Sequence, residues 1–511
     1  MLSSLLHSPR VNITPQYILF FLCFLVLVMV LVRFCAIPKG SHQRRQSQDL
    51  SPMLPYPLPF FGHTVSFIMN SEKLINHGRE FFGNTRNIFS IVILGKSFHI
   101  LTNPRHVAIV HSKPTTFEFT GILKDALIAL GASKEAARVL WSPKSVKDVL
   151  RKGVIPSSHD LQIRQTSGKD LKTLSHYICG FLKERTSPEA ITLAHNTQSG
   201  VESLSIMEWA RENIIFAMQD AYFGPQLHKI DPTLPRAMIE FSDLAWQAWY
   251  QVPWFLRRKQ LSLCKRMLSS YQRYLDLPTN ERKATAWFTG AFEKSFQEVL
   301  TNHTDKAALM MFFHWGIGMN PADATGWLVA HITFDTSLTE IIREETAPAF
   351  KDNGSLDTFY LATSCPTLLS VWYEVLRLYT SVTTMRNVTE ETNIGDIHFD
   401  KGDKLMFSAR QLALDETVFS KNAAEFDAMR FLKNPELQYS ESLRPFGGGK
   451  TICPGRTLAM HVAMALVAIL LRRYNITPAF PQEFPQPFEG DPSIGVMRTK
   501  DGLYMHLEKR T

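Results

Sequence analysis

Apolar positions along this 511-residue chain fall into three patterns, and each predicts a different element. The first is an unbroken run. Tyr17 to Val32 carries no charge, and Phe34 to Ile37 continues past Arg33. With Arg33 snorkelling, roughly twenty residues can span a bilayer as one helix. The second is the short run bounded by turn residues: Ile88 to Leu94 and Phe98 to Leu101 predict two strands joined by a Gly95-Lys96 turn. The third and commonest is the longer apolar stretch of helical length, at 171–182, 238–256, 307–333 and 367–379, with a further one from Arg456 to about Leu471. The expected architecture is mainly α with a small β-sheet subdomain near the amino terminus. No repeat of solenoid period and no linker-like break interrupts 60–511, which reads as one large domain.

The flanks of the first run set its orientation. Arg33, Lys39, Arg44 and Arg45 follow it and only Arg10 precedes it. The positive-inside rule then places residues 1–16 in a lumen, a signal-anchor helix at 17–37 in the membrane, and the body on the cytoplasmic side. A cleaved signal peptide is the competing reading, and it calls for a shorter apolar core and a small-x-small site after it. Residues 38–59 are polar and proline-rich, with Pro52, Pro55, Pro57 and Pro59, and read as a semi-rigid hinge. The sequon at Asn12 lies close to the apolar run.

Composition narrows the class. With 45% hydrophobic and 20% charged residues the chain is of ordinary globular make-up. The net charge of +8 comes without a long Lys/Arg block, which argues against nucleic-acid binding. It suits a basic face for an acidic redox partner or for anionic lipid. Six scattered cysteines without a CxxC pair argue for a reducing compartment and against a disulfide framework or structural zinc.

One cysteine stands apart. Cys453 lies in Pro445-Phe446-Gly447-Gly448-Gly449-Lys450-Thr451-Ile452-Cys453-Pro454-Gly455-Arg456, directly ahead of an apolar helix. Glycines let such a loop bend so that its amides face the sulfur, and the helix amino terminus adds positive potential, as a thiolate requires. The run resembles the haem loop of the cytochrome P450 family, Phe-x-x-Gly-x-(Arg/His)-x-Cys-x-Gly, at Phe446, Gly449, Cys453 and Gly455. It departs at Thr451, where that family has a basic residue for a haem propionate. Thr-Ile-Cys-Pro-Gly-Arg is similar to the branch containing sterol 7α-hydroxylases and prostacyclin synthase. The resemblance implies a cytochrome P450 fold, haem b with Cys453 as the axial metal ligand, and thiolate-assisted O–O cleavage.

It also implies partners for other residues. Glu374 and Arg377, three apart on an apolar helix, and Arg430 match an ion network that supports the haem loop, although Ala428 replaces the usual proline. Arg386 matches a propionate-binding position. The family's Trp-x-x-x-Arg helix is not evident, since Trp141 is followed four residues on by Ser145. Within 307–333, Asn320 stands at the family's acid position and Pro321 at its threonine position. Asp323 and Thr325, within the next turn, are candidates for a displaced proton relay. Such a proline also opens the helix's hydrogen-bond ladder.

The resemblance further implies a large apolar pocket lined by 318–325, 382–386 and a late strand at 494–497. It implies a bulky substrate such as a sterol, terpenoid or other polycyclic metabolite, and electrons from a membrane-bound NADPH-dependent flavoprotein reductase. The expected location is the endoplasmic reticulum membrane, as a single-pass protein in contact with membrane lipid. Pro321 keeps a second expectation open: a haem-thiolate isomerase or dehydratase that needs neither O2 nor NADPH.

Overall fold

The computed structural model describes residues 50–56, 60–142, 153–194, 196–198 and 201–510. Eight helices position the site: α1 (Pro104–Ser112), α2 (Val154–Gln165), α3 (Ile206–Phe223), α4 (Leu234–Trp249), α5 (Arg258–Asp276), α6 (His303–Phe334), α7 (Pro366–Tyr379) and α8 (Arg456–Arg473). The apolar stretch at 307–333 becomes α6, 32 residues and about 48 Å long. Asn302 caps it, its side chain accepting from Thr304 N and Asp305 N at 2.8 and 3.3 Å. Apolar on most faces, α6 is sheathed by α3, α5 and α8 in the main core. Pro321 lies inside it without ending it.

The stretch at 238–256, by contrast, is not one helix. It stops at Trp249, and Gln251 takes φ +55° ahead of Pro253. A short 3-10 turn, Trp254–Leu256, precedes α5. Proline's missing donor and the constraint on the residue before it account for the break. The stretch at 171–182 extends to Gly168–Arg185.

Eleven strands in chain order among the described residues form three sheets: β1 (Phe89–Ile93), β2 (Lys96–Ile100), β3 (Phe117–Glu118), β4 (Asn196–Gln198), β5 (Val201–Ser205), β6 (Thr383–Val388), β7 (Thr392–Ile394), β8 (Ile397–Phe399), β9 (Lys404–Ser408), β10 (Tyr474–Pro478) and β11 (Tyr504–Lys509). The largest sheet has the order β1-β2-β9-β6-β3, and only β2 and β9 run parallel, with Ile100 opposite Met406. A second sheet is β10-β11-β5-β4, and β7-β8 is a hairpin. The β1–β2 turn falls at Leu94-Gly95, one residue earlier than expected. Both residues have positive φ (47° and 74°), as a tight hairpin demands, and Lys96 already belongs to β2.

The amino-terminal boundary also moves. Pro52 O accepts from Ser90 N and Leu54 N donates to Ser90 O, so residues 52–54 lie along β1 with Leu54 in the core. This part of the expected hinge belongs to the body. The membrane segment expected at 17–37 and residues 38–49 of the hinge lie outside the described residues. Among the described residues, no helix is long and apolar enough to cross a membrane.

Candidate active site

The thiol loop is built by close approach. Gly447 and Gly449 have φ of +74° and +59°, and a Cβ on Gly449 would collide with the carbonyl oxygen of His111 at the end of α1. Cys453 N donates to Phe446 O at 3.0 Å, closing the loop on itself. Gly455 is the cap of α8, so the sulfur sits at a helix amino terminus. Burial raises the Cys453 thiol pKa, against the amides of Gly455 and Arg456, which favour the anion. The sulfur is nonetheless accessible, because it faces an internal cavity. Sequence reasoning missed the brace behind this loop. His159 Nε2 lies 2.9 Å from Ile452 O, and Thr166 donates to Pro454 O at 2.8 Å. Both come from α2 and its end, a stretch in which no element and no motif stands out in the sequence.

Glu374, Arg377 and Arg430 meet, all buried. Glu374 takes a bidentate pair from Arg377 at 2.7 and 2.8 Å, both its oxygens accept from Arg430 Nε, and Asp427 N adds a bond at 3.0 Å. The arginines spend their other donors on the carbonyls of Ala413, Phe419, Ala423 and Glu425 and on Asn422. The network therefore pins the chain from 413 to 430 against α7. Ser370 Oγ donates to Ala428 O at 2.6 Å and accepts from Phe431 N and Leu432 N. It thus holds the turn in which Ala428 stands for proline.

Helix α6 roofs the cavity, presenting Asn320, Pro321, Asp323 and Ala324. Asn320 Oδ1 accepts from Val496 N at 3.0 Å, so this side chain serves the neighbouring loop. Thr325 does not join the group: it is fully buried, away from the cavity lining, and its hydroxyl donates to Pro321 O at 2.6 Å. Asp323 lies 2.5 Å from Arg211 Nε in α3, and Arg211 also holds Asp243 of α4 at 2.9 Å. Arg498 continues the chain to Asp243 and Asp491. Burial, with Asp243 nearby, pushes the Asp323 carboxyl up to about 6, although Arg211 and Arg498 oppose the shift. Residues 494–497 border the cavity as expected, but as a loop with one bridge, Thr380 to Val496, not as a strand. A Cβ on Gly495 would collide with Asn320 Oδ1.

The cavity measures about 560 Å³ between Cys453 and α6, with aromatic walls that include Phe119, Trp246, Trp249, Phe288 and Phe313. At one edge Arg386 is buried, its guanidinium 4.4 Å from the Phe119 ring centroid, donating among the described residues to Met385 O and to Thr451 Oγ1 at 3.3 Å. Burial lowers its pKa to about 10, with Glu118 opposing. An accessible thiol, an apolar slot above it and a buried cation at the rim fit an iron porphyrin that carries carboxylates. Phe446 lines the same space.

Comparison with known proteins agrees with this geometry. A family model described as Cytochrome P450 matches residues 52–506. Cytochrome P450 monooxygenase nodJ of Hypoxylon pulicicidum is 23% identical over 94% of each chain. Cytochrome P450 monooxygenase poxD of Penicillium oxalicum is 23% identical over 83% of this chain and 87% of its own. A cytochrome P450 monooxygenase of Gibberella zeae is 29% identical over 84% of this chain and 81% of its own. The solved structure of a retinoic acid-bound cyanobacterial CYP120A1 superposes with a TM-score of 0.70 at 17% identity, covering 91% of this chain and all of that one. These relatives do not support the narrower resemblance to sterol 7α-hydroxylases and prostacyclin synthase. The chain belongs to the cytochrome P450 family and is a P450 monooxygenase by enzyme class.

Proposed function

We propose that the protein is a membrane-anchored monooxygenase that oxidises a bulky apolar substrate, a terpenoid, sterol or other polycyclic metabolite. Electrons come from an NADPH-dependent flavoprotein reductase docked on its basic surface. The observation that carries the reading is the large aromatic-walled cavity, with the Cys453 thiol on one side and an ionisable carboxyl, Asp323, in the opposite wall. The overall excess of positive charge supports an acidic redox partner. The solved relative is bound to retinoic acid, a carboxylic acid with a largely hydrocarbon body.

Haem held by Cys453 would supply oxygen binding and O–O cleavage. This chain's own residues hold the sulfur, exclude water and deliver protons. The amides of Gly455 and Arg456 favour the Cys453 anion against its burial, and the ion network at Glu374 pins residues 413–430, which precede its loop. The aromatic walls desolvate the substrate and orient it by shape. Asp323 holds the transferable proton on its carboxyl. It also borders a second, polar cavity of about 220 Å³ lined by Arg211, Arg498, Lys500 and Asp501, through which it is recharged from solvent.

The test is turnover by the purified full-length protein on a panel of polycyclic terpenoids, with reductase, NADPH and O2. The expected result is a hydroxylated product that requires all three, with a carbon-monoxide-bound spectrum whose thiolate band disappears in Cys453→Ala. Pro321 lacks a hydroxyl and Thr325 spends its own on the helix, which favours a second reading: rearrangement of a hydroperoxide. Conversion of a hydroperoxide substrate without NADPH, and no NADPH-dependent product, would replace the first reading with this one.

A further inference from the structure

Three groups crowd the rim of the thiol loop, and the family motif identifies only one of them. Arg386, 4% exposed, has no ion-pair partner among the described residues. His111, 7% exposed, lines the same cavity from the end of α1, and its Nε2 makes no hydrogen bond among the described residues. Arg444 closes the group. A Cβ placed on Gly448 would lie 3.1 Å from both Arg444 Nη1 and the His111 ring, so the two side chains flank one backbone position. Glu441 reaches Arg444 at only 3.9 Å, and Glu118 acts on Arg386 from a distance.

Collecting a buried and a half-buried cation beside an imidazole is costly, and a buried ring nitrogen without a partner adds to the cost. Burial and the charges of Arg386 and Arg444 push the His111 pKa down to about 4, although a hydrogen bond with the Gly448 backbone opposes them. An anion on the cavity side would meet both Arg386 and His111, and the sole motif position left without a basic residue, Thr451, hydrogen-bonds to Arg386 in the same cluster.

We infer that His111 is a carboxylate-binding residue of the cofactor cradle, its Nε2–H donating to a haem propionate beside Arg386 and supplying the contact that Thr451 lacks. A hydrogen bond to a carboxylate inside a dry rim is of the strong, charge-assisted kind. Because Gly448 and Gly449 pack directly on His111, the same residue couples propionate binding to the position of the thiol loop. It is a positioning residue, since nothing places it against the iron or the substrate. The assignment rests on haem occupying the cavity.

The test compares native haem with its dimethyl ester, in which the propionates can no longer accept as carboxylates. Haem transfer to excess apomyoglobin is timed for the full-length wild type, His111→Phe and His111→Gln. For native haem, His111→Phe should hasten loss about tenfold, as expected of one lost charge-assisted bond. His111→Gln, which keeps a donor, should lie between. For the ester the three proteins should agree within about twofold, because the wild type has already lost the contact. Equal acceleration for native and esterified haem in His111→Phe would show a packing role and overturn the assignment. So would a His111→Gln protein that loses native haem as slowly as the wild type and esterified haem no faster than native. A wild type that takes up no haem at all overturns this inference and the haem-thiolate reading together.

Discussion

Glu374→Gln isolates the charge in the Glu374–Arg377–Arg430 network, because the amide has nearly the shape of the carboxylate. Oε1 accepts from Arg377 Nη2, Arg430 Nε and Asp427 N, and Oε2 accepts from Arg377 Nε and Arg430 Nε. Whichever oxygen becomes NH2 will face at least two donors and can accept from neither. Two arginines with almost no solvent exposure then share a neutral partner. Breaking a buried pair in this way costs about 3–5 kcal/mol. Against a total stability of about 5–15 kcal/mol, the loss is large. It should lower the melting temperature by on the order of 5–10 °C. The damage should also be directed, because the segment released, 413–430, leads into the thiol loop. The assay is a thermal melt alongside the carbon-monoxide-bound spectrum at 20 °C. The expected outcome is reduced haem content and a smaller thiolate band in the protein that remains folded. A variant that melts within 2 °C of the wild type with its thiolate band intact would refute the reasoning.

Three further substitutions probe the roof and the loop. For Asp323, whose carboxyl is raised to about 6, the proton-donor form is present below that pH and is lost as pH rises through it. The fraction of NADPH converted to product should therefore fall above about pH 6 in the wild type. In Asp323→Asn it should be roughly tenfold lower and flat with pH, with peroxide accumulating instead. The same upward shift makes folding take up a proton between pH 3.8 and about 6. Its stabilising contribution is complete below 3.8 and lost as pH rises through 6, so Asp323→Asn should remove that slope from a series of melts. Gly449→Ala places a methyl group against the His111 backbone at φ +59°, and should cost about 1–3 kcal/mol with clear loss of haem retention. Gly316→Ala, which meets open space in α6, should do neither.

Residues within a few positions of one another were the readable ones. The Cys453 loop, and the pairing of Glu374 with Arg377, depend on spacing that survives as sequence pattern, and Arg430 joins through its order relative to them. The extent of α6 was legible from an apolar run with few breaks. Contacts made across the fold were not legible. Asp323 is readable as an acid near the roof, but its partner Arg211 sits on another helix, and neither neighbourhood says which carboxylate it will meet. Thr325 reads as a free hydroxyl until the carbonyl opposite is known. His111 looks like any helix-terminal histidine, and its burial depends on Gly448 and Gly449 more than three hundred residues away. The break after Trp249 was signalled by Pro253, yet the surrounding apolar residues concealed it. The core position of Leu54 was hidden by prolines that read equally as linker and as edge strand.

The hydrogen bond from Val496 N to Asn320 bears on any attempt to alter substrate choice. The 494–497 loop and the helical roof share one fastening, and Gly495 provides the clearance for it. A side chain at 495 would enlarge the wall by evicting the Asn320 amide, so the roof would shift together with the wall. Ile494 and Val496 border the cavity without standing in that clearance. A library that randomises 494 and 496 but preserves glycine at 495 would vary the shape offered to a substrate while leaving the ceiling where it is.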